Sequence, residues 1–359
     1  MQESARYLVS RGHEVHVFAN EWDPDPTNAI RFHHVPIIRM PRFSRAPLFF
    51  RSASKLLRPS EFDVFNSHGC ECPFGGVFRV HSLHRAWLAS SRKFRSPFSM
   101  AAIKQRINPL HPLLLNLEKK HFLGRRYKRV IALTDDVRQD LKKYYDVPQS
   151  DVDVVPNGYS AIDFNATQRQ SRREEMRGKL GLNADQIALL FVANELQRKG
   201  FPTLLKALKQ MANRNLRLLV VGRVDSGQVM TLAREAGVDE QVVACGPSKD
   251  VAGYHAASDI FVLPTQYEAF CLAILEALGS GLPVITTRVP GAHDAIKTGI
   301  NGALIDDPLS AEELAAAIGA MLDPDRRCIL SAAAPASVEA YHWPKVMRRY
   351  EEILLRNCA

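Results

Sequence analysis

The sequence predicts an α/β protein of two domains, each a parallel sheet covered by helices. Three observations predict it. The chain has 359 residues, which at about 150 residues per domain makes two. Strand-like and helix-like segments alternate along it, the pattern of β–α–β units. The apolar runs, such as Ile187-Ala-Leu-Leu-Phe-Val-Ala193, are the size of core strands. They fall far short of the roughly 18–20 residues that span a bilayer. With 46% hydrophobic and 24% charged residues, the chain has the apolar surface for full cores, which excludes disorder over most of its length.

The elements follow in order. Residues 3–11 read as a helix closed by Gly12. Glu14-Val-His-Val-Phe-Ala19 reads as a buried strand, and Phe62-Asp-Val-Phe-Asn66 as another, followed by Ser67-His68-Gly69. Residues 75–80 form the next strand, which delivers His81 and His84. Residues 129–133 form a strand, after which Thr134 caps a helix opening Asp135-Asp136. A hydroxyl acceptor and two carboxylates suit the free N–H groups there. Residues 151–155 form a strand that ends in the turn Pro156-Asn157-Gly158. Residues 160–185 are polar and read as an interdomain connection running into a helix. A second series follows, with strands 188–192, 216–221, 241–245, 260–263 and 283–287 and helices 202–211, 229–236, 251–257 and 272–278. Residues 343–356 form an amphipathic helix. The expected domains are 1–160 and 161–342, with 343–359 returning to the first. In such sheets ligands bind beyond the carboxyl ends of the strands, so the loops there are the candidate site.

Charge is uneven. Residues 1–159 hold 25 Lys/Arg against 15 Asp/Glu, so the net +9 comes from the first half. Residues 85–129 hold 12 basic groups and one acid, Glu118, and include Arg92, Lys93, Arg95, Lys119, Lys120, Arg125, Arg126, Lys128 and Arg129 among apolar residues such as Trp87, Phe98 and Met100. Such a block suits an anionic membrane surface or a phosphorylated glycan; the plain alternative is a solvated face. It carries no helix-turn-helix, zinc-finger or RNA-binding pattern, so no nucleic acid partner is expected. The six scattered Cys make no disulfide framework, and no signal peptide is read at the start, so a cytoplasmic location, peripheral on the inner membrane face, is the expectation. No metal site is expected either. Cys70-Glu-Cys72 lacks a second ligand pair, and the triplets Asp23-Pro-Asp25, Asp151-Val-Asp153 and Asp323-Pro-Asp325 read as turns or strand.

The strongest motif is Leu263-Pro-Thr-Gln-Tyr267-Glu268-Ala269-Phe270-Cys271-Leu272-Ala-Ile-Leu-Glu276-Ala277. Glu268 follows a strand, residues Ala269 to Leu272 enter a helix, and Glu276 lies on it. A helix entrance offers N–H groups and positive dipole to a phosphate. Carboxylates on either side can take sugar hydroxyls. The second motif is Asn194-Glu195-Leu-Gln-Arg198-Lys199-Gly200, where two cations follow a strand. Arg supplies a bidentate phosphate fork and Lys a point charge. Two further strands deliver Gly222-Arg223 and Gly246 to the same edge.

Taken together, these motifs resemble the retaining GT-B glycosyltransferases that carry an E-x7-E pair, here Glu268 and Glu276. The resemblance covers nearly the whole chain and is nearest to the glucosyltransferases of lipopolysaccharide core assembly. It implies two facing Rossmann-like domains and a nucleotide-sugar donor, UDP-linked, whose hexose (glucose) passes to an envelope glycan or glycolipid. It implies that Glu268 binds the donor sugar, Glu276 the ribose, and Arg198 and Lys199 the departing diphosphate. The amides of Ala269 to Leu272 would add to that charge. Gly246 would lie near the base, and His81 near the sugar, with His84 and His68 lesser candidates. No cofactor or metal is implied, since the two cations replace one.

The chain departs from the family pattern in places. The family begins with a central strand and a Gly-Gly loop before the helix that here starts near Glu3, and roughly 12–18 residues of that pattern lack a counterpart. A misassigned start, an impairing truncation and another segment in its place are the three readings. Cys271 replaces a Gly at the helix entrance, and Ala193-Asn194 replaces a glycine pair. The rival functions are a nucleotide-sugar 2-epimerase of similar shape and a non-catalytic, membrane-associated sugar-nucleotide-binding protein.

Overall fold

A computed structural model describes residues 1–23, 28–37, 45–70, 72, 75–94 and 99–358. Asp25, Arg95 and Phe98 lie outside the described residues. The chain forms two compact units, Met1–Asn157 with Trp343–Ala359, and Gly158–His342.

The first unit contains α1 (Gln2–Ser10), β1 (Val15–Ala19), β2 (Ile30–His34), α2 (Arg45–Leu56), β3 (Asn66–Ser67), β4 (Val77–Val80), α3 (His84–Lys93), α4 (Met100–Ile107), α5 (Leu110–Phe122), β5 (Arg129–Ala132), α6 (Asp135–Tyr145) and β6 (Val152–Val154). The Thr134 cap forms as read, its hydroxyl accepting the Val137 N–H at 3.2 Å. Two separate parallel sheets result, β1–β2 and β3–β4–β5–β6. Both faces of the break are nonetheless covered by common layers. On one, Phe18 of β1 and Phe65, beside β3, pack on Val35, Ala53 and Leu57. On the other, Tyr7 and Leu8 of α1 and Val64 pack against Val77, Ile131 and the last helix of the chain.

That break corrects two expectations. Val15–Ala19 are half-buried rather than buried and Glu14 is exposed, because among the described residues β1 pairs only with β2. The strand read at 62–66 shrinks to Asn66–Ser67. Its ladder with β4 starts where the Val77 N–H reaches the Phe65 carbonyl at 2.9 Å, and residues 62–64 have no strand to pair with among the described residues.

The second unit contains α7 (Ala166–Lys179), β7 (Ile187–Val192), α8 (Phe201–Met211), β8 (Leu216–Val221), α9 (Ser226–Ala236), β9 (Val242–Gly246), α10 (Val251–Ala257), β10 (Ile260–Leu263), α11 (Leu272–Gly279), β11 (Val284–Thr287), α12 (Ala292–Ala295), β12 (Gly302–Ile305), α13 (Ala311–Gly319) and α14 (Pro324–Ala333). The last helix, α15 (Trp343–Arg356), belongs to the first unit. One unbroken parallel sheet runs β12–β11–β10–β7–β8–β9. The chain leaves β7 toward one edge and returns at β10 to build the other, so the order reverses between β7 and β10. That is the crevice where ligands of open sheets bind.

The helix expected within residues 160–185 is α7, and the segment is built into the second unit. Arg173 and Arg177 reach Asp259 at 2.6 and 3.3 Å, and the Arg177 guanidinium also donates to the carbonyls of Ala257, Asn183 and Gln186.

Candidate active site

The loops after β7 and β10 stand side by side because glycine lets them. Gly200 has φ +83°, and a Cβ there would lie 1.9 Å from the Pro264 carbonyl oxygen, a contact no other residue accommodates. The Gln266 N–H then donates to the Arg198 carbonyl at 2.8 Å, which locks the two loops together.

Three of the expected residues meet there. The Glu268 Oε1 lies 3.1 Å from Arg198 Nη1 and 2.5 Å from Lys199 Nζ. Glu268 is buried, so these charges attract in a medium poorer than water. Arg198 Nη1 also donates to the Tyr267 carbonyl at 2.6 Å, and its Nε to Glu195 at 2.9 Å. Thr265 donates to the same Glu268 Oε1 at 3.1 Å. Oε2 has no partner among the described residues, which leaves it to accept from a ligand hydroxyl. Sequence reasoning missed Glu195 and Thr265. Both lie inside the quoted motifs, but only the fold shows that one aims the guanidinium and the other the carboxylate.

Past Glu268 the chain crosses Ala269 and Phe270 to Cys271, the N-cap of α11, where no side chain caps the helix. Of the four residues read as the helix entrance, only Leu272 is helical, and it is 39% exposed. Burial, with Glu268 adding, pushes the Cys271 thiol up to about 12, so it stays protonated at neutral pH. Glu276 follows on α11. Burial alone pushes its carboxyl up to about 7, and no hydrogen bond or ion pair holds it among the described residues. A half-buried carboxyl without a protein partner is available to a ligand hydroxyl.

The remaining second-unit candidates line the same carboxyl edge. Asn194 follows β7 and accepts the Arg223 N–H at 2.9 Å. Gly222 follows β8, packs against the Ala193 carbonyl and donates to the Gly246 carbonyl at 2.9 Å.

In the first unit, His68 follows β3, His81 follows β4 and His84 opens α3. The His68 Nδ1 and His81 Nε2 lie 3.0 Å apart. Loss of hydration, and then the Arg79 cation, lowers His81 to about 4. His84 pairs with His111 at 3.0 Å and is likewise lowered to about 4 by burial and then by His111.

An α/β switch point bearing a carboxylate, two cations and a helix end without a side-chain cap is a candidate site for an anionic, hydroxyl-rich ligand. Residues 1–161 match the family model Glycosyltransferase Family 4, and residues 172–334 match Glycosyl transferases group 1. The chain belongs to this family of glycosyltransferases, and its fold is GT-B.

The chain is 29% identical over 231 residues to the lipopolysaccharide 1,2-N-acetylglucosaminetransferase of Salmonella typhimurium, a stretch covering 60% of this chain and 59% of that enzyme. It is 25% identical over 313 residues to the Escherichia coli lipopolysaccharide glucosyltransferase WaaG, covering 86% and 81%. Among solved structures, WaaG superposes with a TM-score of 0.84 at 23% identity over 98% of this chain and 94% of that one. Anabaena HepE in complex with UDP-glucose superposes with a TM-score of 0.70 at 18% identity, covering 92% and 87%.

Proposed function

We propose that this protein moves a hexose, glucose, from a UDP-sugar to an envelope glycan or glycolipid such as lipopolysaccharide core, with retained anomeric configuration and without a metal. The observation that carries the reading is the joining of Glu268, Arg198 and Lys199 at the β7/β10 switch point. Breaking the anomeric bond builds negative charge on the leaving diphosphate. Arg198, Lys199 and the open end of α11 oppose it, in the place of a divalent ion. The free Oε2 of Glu268 takes donor-sugar hydroxyls, and Glu276 takes the ribose. Retention follows a front-face path in which the leaving phosphate accepts the acceptor's proton. The lipopolysaccharide transferases among the relatives support the acceptor class, and the HepE complex supports the uridine nucleotide.

The test is transfer by Lys199→Met and Glu268→Gln with UDP-glucose as donor. Each is expected to lose about 10²–10³ in kcat. Transfer at the parent rate in both variants overturns the reading. NMR of the product's anomeric proton checks retention, and an unchanged rate in EDTA checks metal independence.

The reading includes peripheral binding to an anionic bilayer. On α4, Met100, Ile103 and Ile107 are exposed at helical spacing, beside the exposed Lys104 and Arg106. The block's one acid, Glu118, is buried, where it accepts the His84 and Arg85 N–H groups and the Tyr145 hydroxyl. It therefore subtracts nothing from the basic surface. No helix of the described residues is long and apolar enough to cross a membrane. Co-sedimentation with phosphatidylglycerol vesicles should fall steeply between 50 and 500 mM salt, roughly as screening dictates. No binding at low salt removes this part.

A further inference from the structure

The first unit buries a charge that its own residues do not balance. Arg79, on β4, is 1% exposed. Its Nη2 donates to the Pro156 carbonyl at 3.0 Å and to Asn157 Oδ1 at 3.2 Å. The guanidinium carbon sits 4.9 Å from the Tyr350 ring centroid. Nε and Nη1 have no hydrogen-bond partner, and no carboxylate pairs with Arg79 among the described residues. A buried cation left in this state is costly, and an unsatisfied buried donor points to an ion or water that completes it.

A polar chain runs from the neighbourhood of this cation to the surface. Asn66 Nδ2 donates to the Tyr350 hydroxyl and lies 3.0 Å from His68 Nε2. His68 Nδ1 lies 3.0 Å from His81 Nε2, with the rings stacked. An amide nitrogen only donates, so His68 accepts at Nε2 and carries its proton on Nδ1. That proton goes to His81 Nε2, and His81 in turn carries its proton on Nδ1. His81 is exposed. The chain therefore ends in an imidazole N–H at the carboxyl edge of the sheet, with an unbalanced arginine behind it. The Arg79 charge acts on both rings.

We propose that His81, with His68 and Arg79 behind it, forms an oxyanion seat in the first unit for a phosphate group carried by the acceptor. This rests on the reading of the chain as a sugar transferase, and it deepens that reading by naming an anionic acceptor. The donor's diphosphate is a different anion, assigned to Arg198 and Lys199 in the second unit. The seat's ligand meets the His81 Nδ1–H at the surface and offsets the field of the buried Arg79 without touching it.

The experiment follows the histidine ring carbons by proton–carbon NMR during titration with inorganic sulfate, an oxyanion whose charge is constant from pH 4 to 8, and with inorganic phosphate. It uses the full chain, Lys199→Met, Arg79→Met, Arg79→Lys and His81→Gln. Saturable shifts at His81 are expected in the full chain and in Lys199→Met. Arg79→Met should weaken the apparent affinity at least tenfold, and Arg79→Lys should restore part of it. Anion binding should also raise the His81 pKa by about one unit, a tenfold tighter affinity below it. In His81→Gln the remaining His68 signal should no longer respond saturably.

Absence of saturation, or equal affinity in Arg79→Met, overturns the proposal. So does a His81 shift produced by UDP alone, or cancelled by saturating UDP, because the anion would then be the donor's. Loss of transfer in Lys199→Met with the His81 shift intact separates this proposal from the second-unit reading. If Lys199→Met transfers normally while His81 still responds, the transferase roles fail and the anion seat survives.

Discussion

Two buried arginines, one in each unit, show opposite solutions to the same problem. Arg177 in α7 is 7% exposed and shares Asp259 with Arg173, the carboxylate lying 3.3 and 2.6 Å from the two guanidiniums. Asp259 Oδ2 further accepts the Ala188 N–H at 2.8 Å, pinning the start of β7. Arg79 is more deeply buried and has no such counter-charge. A fold that needs a charge for its own architecture pairs it internally. A charge left unpaired costs stability and is available to a ligand. Glu276, half-buried and unpartnered among the described residues, is the acidic counterpart in the second unit.

The comparison breaks most readily at Asp259. Asp259→Asn leaves Arg173 and Arg177 without their acid, and should cost about 3–5 kcal/mol in chemical denaturation. A loss below about 1 kcal/mol means the cluster is not what fixes α7 to the sheet. Next in size is catalysis. If Lys199 serves a ligand as well as Glu268, Lys199→Met should cost about 2.7–4 kcal/mol in transition-state stabilisation, measured from kcat, and much less in folding.

Glu276 gives a smaller effect with a definite sign. Its folded value of about 7 lies above the ordinary glutamate value of 4.5, so the unfolded chain ionises first. Its contribution to stability is present below about 4.5, declines as pH rises to about 7, and changes little above. Glu276→Gln should flatten the stability profile between pH 4.5 and 7, by on the order of 2 kcal/mol; an unchanged slope shows that the carboxyl is paired after all. The smallest effect belongs to Arg79→Met. Removing an uncompensated buried charge for an apolar side chain of similar length should leave stability within about 1 kcal/mol of the parent. A loss like that at Asp259 would make Arg79 architectural and erase the contrast.

Legibility followed the same division. The second unit reads almost residue by residue, since the strands at 216–221 and 260–263 are almost wholly apolar, broken only by Arg217, and Asp250 caps the helix at 251–257. In the first unit the pattern misled at 14–19 and 62–66, because burial of a strand depends on which strand lies beside it. Glu118 shows the limit from the other side. In sequence it is the single acid in a basic block, whereas in the fold it accepts two N–H groups at the start of α3 and a tyrosine hydroxyl.

By itself, the sequence determined the α/β alternation, the motif loops after the strands and the chemical types placed on them. Periodicity and residue chemistry are local properties. The tertiary structure alone decided that the β7 and β10 loops touch, that Thr265 and Glu195 aim the pair at Glu268, that the first sheet divides, and that one buried arginine has an acid while the other lacks it. Those are matters of distance between residues far apart in the chain, and strand order, which no local pattern encodes, sets them.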